Sequence, residues 1–225
     1  MTRVGKPLPD VVAPGLDVLF CGINPSLLSA ARGHHFARPG NRFWPALHLA
    51  GLTPRRLRPE EDRELLLFGL GVTNLVDRPT RTAAELTPGE LRAGVAALEE
   101  LVALHHPRVV AVLGGTAWRL AVDRRGAPWG RQERRLGGAE TWVLPNPSGL
   151  NAHHQLPDLA RHYAALRPPA QRAEPASAPG ASGVPGASPA SRPTSATAPP
   201  SSSPDPRATA AARSCGSSAA SSAAT

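Results

Sequence analysis

The sequence predicts an α/β fold, a single three-layer domain with a central parallel sheet flanked by helices, followed by a disordered C-terminal tail. Three observations predict it. Short apolar runs without polar alternation recur four times before position 145, as strands do when helices cover both faces of a parallel sheet. Helical patterns separate them, and such an alternation closes through right-handed crossovers. All nine aromatic residues lie before position 169, whereas the 57 residues from there on hold ten Pro and nothing aromatic, too little apolar surface to offset the entropy of ordering them. The chain therefore divides into a flexible N-terminus over 1–9, one folded domain over 10–168, large enough for its own core, and the tail over 169–225.

The first strand is read at 17–23 (DVLFCGI), the second at 68–73 (FGLGVT), the third at 108–113 (RVVAVL) and the fourth at 141–144 (TWVL), bounded by Gly, Pro and Asn. Between the first two, helices are expected over 41–50 and 59–67. The clearest helix start is Thr87: the run T-P-G-E supplies an N-cap, Pro88 at the first helical position and Glu90 as the reciprocal member of a capping box. That helix should reach about His105, with Leu91, Val95, Leu98 and Val102 as its buried stripe. A shorter one comes next over 116–122, and a last one starts near Pro157 and carries Leu159, Tyr163 and Leu166.

Composition narrows the function classes. The chain carries 25 Lys+Arg against 17 Asp+Glu, a formal charge of +8; four Arg, one Glu and one Asp belong to the tail, which leaves +6 before it. A basic domain suggests a polyanionic partner, although a GC-rich coding bias also explains why 24 of the 25 basic residues are Arg. Two cysteines supply neither a disulfide framework nor a metal cluster, so a reducing compartment is the default. No stretch approaches the roughly 18 apolar residues that span a bilayer. A soluble cytoplasmic protein without a membrane partner is expected. The sequence has no H-E-x-x-H, no Cys/His cluster and no G-x-x-x-x-G-K-[ST] run, so zinc and P-loop chemistry lack support, and neither metal nor cofactor is called for. The pairs His34-His35 and His105-His106 are adjacent and do not share a helical face, which favours a non-metal role for both.

The strand ends are unusual in a consistent way. The first strand runs into Gly22-Ile23-Asn24-Pro25-Ser26, the second into Asn74 and the fourth into Pro145-Asn146-Pro147-Ser148-Gly149-Leu150. Three strand ends thus bring Asn side chains or amide-rich turns to the rim where parallel sheets bind ligands. Singly, Asn-Pro and Pro-Ser-Gly are ordinary turn formers; together they point to a site. Carboxylates are missing from this rim, and the nearest, Asp77, is expected to pair with Arg78 or cap a turn. An amide carries both an acceptor and a donor, so it orients a water without being a strong base. That suffices only where the leaving group is good and the transition state dissociative. N-glycosidic cleavage of a pyrimidine nucleotide meets the requirement, because the departing anion is delocalised and N–H donors can hold it.

Residues 19–44 (LFCGINPSLLSAARGHHFARPGNRFW), 71–80 (GVTNLVDRPT) and 142–152 (WVLPNPSGLNA) resemble the mismatch-specific uracil/thymine-DNA glycosylase family, the branch of the uracil-DNA glycosylase superfamily whose motifs are G-I-N-P and N-P-S-G-L. The resemblance extends over 14–166 and implies a uracil-DNA glycosylase-like catalytic domain at 10–168. The implied activity is that of a monofunctional glycosylase acting in base excision repair. It would hydrolyse the N-glycosidic bond of uracil mispaired with guanine in duplex DNA, with thymine or modified pyrimidines left open, and leave an abasic site. By position, Asn24 orients the attacking water. Ile23, Pro25, Ser26, Ser29, Phe36 and Asn74 form the base pocket, with Phe36 stacking on the flipped base. Asn146 and Ser148 lie on the sugar and phosphate side. Leu150 inserts into the gap in the duplex, and Gly149 and Asn151 meet the orphaned guanine. These are the roles extrusion demands, since a base cannot be attacked inside the stack and an apolar wedge must replace it. The implied partner is duplex DNA containing G:U or related mismatches, met by a monomer in the cytoplasm at a bacterial nucleoid.

The sequence also departs from that family. Ser26 stands where the family has Gly, and either crowds the pocket or adds a hydroxyl donor. Asn74 replaces the Lys of many bacterial members and, with Gly33-His34-His35, resembles the thymine-processing relatives; Asn151-Ala152 replaces Ser-Arg. Arg38, Arg42 and Arg78 are candidate phosphate contacts. Glycosylases that also cut the strand commonly use an amine to form a Schiff base, and Lys6 is the only lysine, hence the monofunctional reaction. Two other readings stay open: a non-catalytic mismatch or duplex DNA-binding module, and a hydrolase of free nucleosides or nucleotides, in which Leu150 has no purpose.

Overall fold

The four apolar runs become strands that are covered from both sides. In the computed structural model, which describes residues 8–123, 125 and 127–168, β1 (Val18–Gly22), β2 (Leu70–Asn74), β3 (Val109–Leu113), β4 (Gly130–Arg131) and β5 (Glu140–Leu144) form one sheet in the order β2-β1-β3-β5-β4. β1 and β3 are buried at every residue. All pairings are parallel except that of β4 with β5. β4 is an addition to the four expected strands: its two residues carry no hydrophobic pattern to read, and its place comes from pairing Gly130 and Arg131 with Val143 and Trp142.

Alternation along β1 shows why both faces must be apolar. Val18 and Phe20 join a core with Phe43, Trp44, Leu47 and Tyr163, whereas Leu19 and Cys21 join another with Leu91, Val95, Leu98 and Trp118. Of the helices α1 (Leu27–Arg32), α2 (Phe43–Leu49), α3 (Pro88–His105), α4 (Gly115–Ala121) and α5 (Leu156–Ala164), α2 and α5 close the first core and α3 and α4 the second. α3 starts as its sequence dictates: the Thr87 hydroxyl accepts from the Glu90 N–H at 3.2 Å, and the Glu90 carboxylate accepts from the Thr87 N–H at 2.8 Å.

Local structure differs from expectation in four places. The 59–67 helix is a 3-10 helix over Pro59–Phe68 broken at Glu61 (φ −101°, ψ 17°), where that carboxylate turns back to accept from the Arg58 N–H at 2.7 Å and from Arg55 at 3.1 Å. Because this helix runs through Phe68, the second strand starts at Leu70 and not at Phe68. α1 and a 3-10 turn at Ala83–Glu85 are too short to show a period. The N-terminal boundary also moves: Leu8 is buried, Pro9 accepts a hydrogen bond from His35, and Val11 exchanges two 2.9 Å backbone bonds with Val72, so residues 8 and 9 belong to the domain. Lys6 and the 169–225 tail lie outside the described residues. No helix among the described residues is long and apolar enough to cross a membrane, and these residues hold no metal-sized cluster of His, Cys, Asp and Glu.

The chain leaves β1 toward β2 on one side and returns to β3 on the other. Such a reversal opens a crevice beyond the carboxyl ends of the strands, and the Asn-rich turns all lie there.

Candidate active site

A cleft of about 200 Å³ occupies that crevice. Ile23, Asn24, Pro25, Ser26, Ser29, Phe36, Asn74, Asn146, Ser148 and Leu150 all line it, as do Leu8, Thr80, His35, Arg38 and Arg81, which the strand-end pattern did not single out. No Asp or Glu is among its described lining residues.

Beyond β1 and β2 the chain stays paired. Leu75 and Val76 donate to the carbonyls of Gly22 and Ile23, Thr80 donates to Pro25 at 3.2 Å, and Ser26 bridges to Thr80. This register carries Asn24 to the 78–80 loop, where its Nδ2 donates to the Arg78 carbonyl at 2.9 Å and to Thr80 Oγ1 at 2.7 Å. Thr80 spends its own proton on the Thr82 carbonyl at 2.8 Å. Both partners of the Asn24 amide are therefore acceptors, its nitrogen must face them, and Oδ1 is the end left for the cleft. The loop carbonyl is held in turn by Arg78, whose guanidinium donates to Glu90 at 2.7 Å and to the Glu85 carbonyl at 3.1 Å. Arg78 thus pairs with the capping carboxylate of α3 and not with Asp77, which is exposed and has no ion pair among the described residues. Sequence proximity suggested the wrong partner because Glu90 reaches Arg78 only through the fold.

Ser26 is the N-cap of α1. Its Oγ accepts from the Ser29 N–H and meets Ser29 Oγ, both at 3.1 Å, so its hydroxyl caps the start of the helix. Ser29 then accepts from the Ala37 N–H at 3.1 Å. The Asp62 carboxylate accepts from the His35 N–H at 3.2 Å. These two ties bracket Phe36, which is held at φ 52°, a left-handed conformation that costs a non-glycine residue about 1–3 kcal/mol. Its ring stacks on Phe43 with centroids 4.1 Å apart and borders the cleft.

Asn74 also lines the cleft. An added Cβ on Gly22 would lie 2.6 Å from Asn74 Oδ1 and 3.5 Å from Phe36 Cζ, so only glycine admits that amide. Asn74 Nδ2 approaches Nδ1 of the buried His35 at 3.5 Å, and His35 Nε2 lies 2.9 Å from the Pro9 carbonyl.

The 146–155 loop forms the opposite wall. Asn146 Oδ1 accepts from the Ser148 N–H at 2.9 Å, and Asn151 Nδ2 donates to the Asn146 carbonyl at 3.0 Å. Asn151 Oδ1 accepts from His153, so both ends of this amide are engaged within the loop. Arg42 is the clamp: its guanidinium donates to the carbonyls of Ser148, Asn151 and His154, and its backbone N–H to that of Pro147. It is an internal strut of this loop. A Cβ on Gly149 would lie 2.7 Å from the Gly40 carbonyl, so the two loops interlock and Leu150 is left 71% exposed at the tip.

The family model of the uracil DNA glycosylase superfamily matches residues 9–167. Among solved structures, the chain is similar to the solution NMR structure of a candidate uracil DNA glycosylase from Methanosarcina acetivorans, with 20% identity, 72% of this chain and 96% of that chain covered, and a TM-score of 0.47.

Proposed function

The chain belongs to the uracil DNA glycosylase superfamily, whose members are DNA glycosylases, and from that membership we propose that it hydrolyses the N-glycosidic bond of uracil mispaired with guanine in duplex DNA. The observation that carries the reading is the orientation of Asn24. With its nitrogen committed to Arg78 and Thr80, its carbonyl oxygen accepts a proton of the attacking water and aims the water's lone pair at the sugar. No carboxylate among the described residues lines the cleft, so the glycosidic bond must be well broken before water adds. The bonding electrons leave with the base, water adds to the sugar carbon, and its proton passes to solvent. Phe36, braced from behind by Phe43, offers its ring to the extruded base, and Leu150 fills the space that base vacates. The described residues contain no lysine, which supports attack by water and an abasic product over a Schiff base.

Single-turnover release of uracil from a G:U duplex tests this. Wild type releases the base, and Asn24→Ala lowers the rate by about a hundredfold or more, as loss of an oriented polar group in a catalytic site does. No release by wild type, or equal release by the variant, overturns the proposal. A non-catalytic DNA-binding module would retain the duplex and never yield an abasic site.

A further inference from the structure

We propose that His35 is a positioning residue that fixes which end of the Asn74 amide faces the base, and so makes the cleft select 4-keto over 4-amino pyrimidines. The inference rests on the glycosylase reading above. It starts from the Pro9 carbonyl, 2.9 Å from His35 Nε2. A carbonyl only accepts, so Nε2 carries a proton; in the neutral ring Nδ1 is then bare and also only accepts. Asn74, 3.5 Å away, must therefore turn its NH2 toward His35. Oδ1 is left over Gly22 beside the Phe36 ring, where a single Cβ would collide with it.

That orientation has a chemical sense. Uracil presents a donor at N3 and an acceptor at O4, which match Oδ1 and the second proton of Nδ2. A 4-amino pyrimidine presents the opposite pair and needs the amide turned over, which His35 opposes. The lock is built from three chain segments: residues 8–11, the 33–37 loop and the end of β2. The charged or titratable groups that face His35 are Asp62, whose carboxylate takes its backbone N–H, Asp10, which accepts from Thr73 Oγ1 at 2.7 Å, and the neighbouring His34, itself 3.4 Å from Asp62. Burial outweighs the Pro9 hydrogen bond and the two carboxylates and holds the His35 pKa below its ordinary value, which favours the neutral ring. On protonation Nδ1 becomes a donor, the amide turns, and the selection relaxes.

The test compares single-turnover release of 5-fluorouracil and 5-fluorocytosine opposite guanine by wild type, His35→Ala, Asn74→Ala and the double variant. Wild type favours fluorouracil. His35→Ala raises the fluorocytosine-to-fluorouracil rate ratio by about tenfold, the worth of one buried hydrogen bond to a polar group, and has no effect on the ratio once Asn74 is Ala. An unchanged ratio, or a His35 effect that persists without Asn74, overturns the proposal. Should His35→Ala not fold, the wild-type ratio measured against pH takes its place: it rises as pH falls through the His35 pKa, and a flat ratio counts against the lock. Long-range 1H–15N spectra of the wild-type imidazole decide separately from catalysis. They show protonated Nε2 and bare Nδ1 for His35, and the opposite tautomer refutes the lock whether or not any base is released. A chain that releases neither base refutes the proposed function instead.

Discussion

In the proposed reaction Asn24 orients water only while its nitrogen is held away from the cleft, and Thr80 is one of the two groups that hold it. Thr80→Val removes the 2.7 Å acceptor and frees the amide to turn. The expected result is a fall of about tenfold in single-turnover base release, equal to one hydrogen bond of about 1.4 kcal/mol, at unchanged duplex affinity. Thr80→Ser retains the acceptor and restores most of the rate. A matching loss of affinity would instead mean that Thr80 supports the fold of the 78–80 loop. Asn24 itself was legible as part of G-I-N-P at a strand end. Thr80 was not, because its role depends on the parallel register of 22–26 against 74–80, and nothing local encodes a register between stretches 50 residues apart. His35 was visible only as half of an adjacent pair. Its burial and the Pro9 carbonyl that meets its Nε2, on which the proposed tautomer rests, come from an N-terminal segment far from it in sequence.

Among the elements, the 146–155 loop is the one whose shape is supplied from outside. It has no regular structure before α5, and Arg42 at the start of α2 ties three of its carbonyls. Arg42→Lys keeps the charge but cannot span the fork, so uracil release from duplex DNA should fall by about tenfold or more, the worth of charged hydrogen bonds of about 1.5–3 kcal/mol. Release from single-stranded DNA, where the proposed wedge has no gap to fill, should fall much less. Equal losses on both substrates would assign Arg42 to general stability. The α3 cap makes a different prediction, for pH. Arg78, then Thr87, hold the Glu90 carboxyl down to about 2, while in the unfolded chain it titrates in the ordinary range near 4.5. As pH falls the unfolded state takes up the proton first, so the stabilisation is complete above the ordinary range and is lost between there and about 2. Glu61 titrates the same way. Thermal melts should therefore drop over that interval, and Glu90→Gln should start lower at neutral pH and fall less steeply. A variant that melts with the wild-type pH dependence would show that the cap contributes nothing.

For the molecule as a whole, the sequence shows the layers more clearly than their edges. Buried runs such as VVAVL at β3 declare a doubly covered sheet, and T-P-G-E at Thr87 marks the start of α3 to the residue. β4, α1 and the break at Glu61 stay hidden because each rests on long-range pairing or on ion pairs, with no period of its own. Charge behaves similarly. The +6 carried before the tail suggests a broad DNA-facing surface, and since pairs such as Arg78 with Glu90, Arg131 with Glu140 and Arg134 with Glu99 cancel within themselves, that excess rests on arginines outside such pairs. Two exposed arginines on the cleft wall, Arg38 and Arg81, have no acidic partner among the described residues. Under the proposed function the phosphates flanking the extruded nucleotide pass this wall, so the salt-sensitive part of binding should concentrate there. Each contacted phosphate adds about 0.9 to the magnitude of the log–log slope of affinity against salt. Arg38→Ala and Arg81→Ala should each weaken duplex binding and flatten that slope by about one unit or slightly less. Arg134→Ala removes the same formal charge from a pair away from the cleft and should leave the slope unchanged. If all three variants flatten it alike, binding answers to net charge and not to this wall of the cleft.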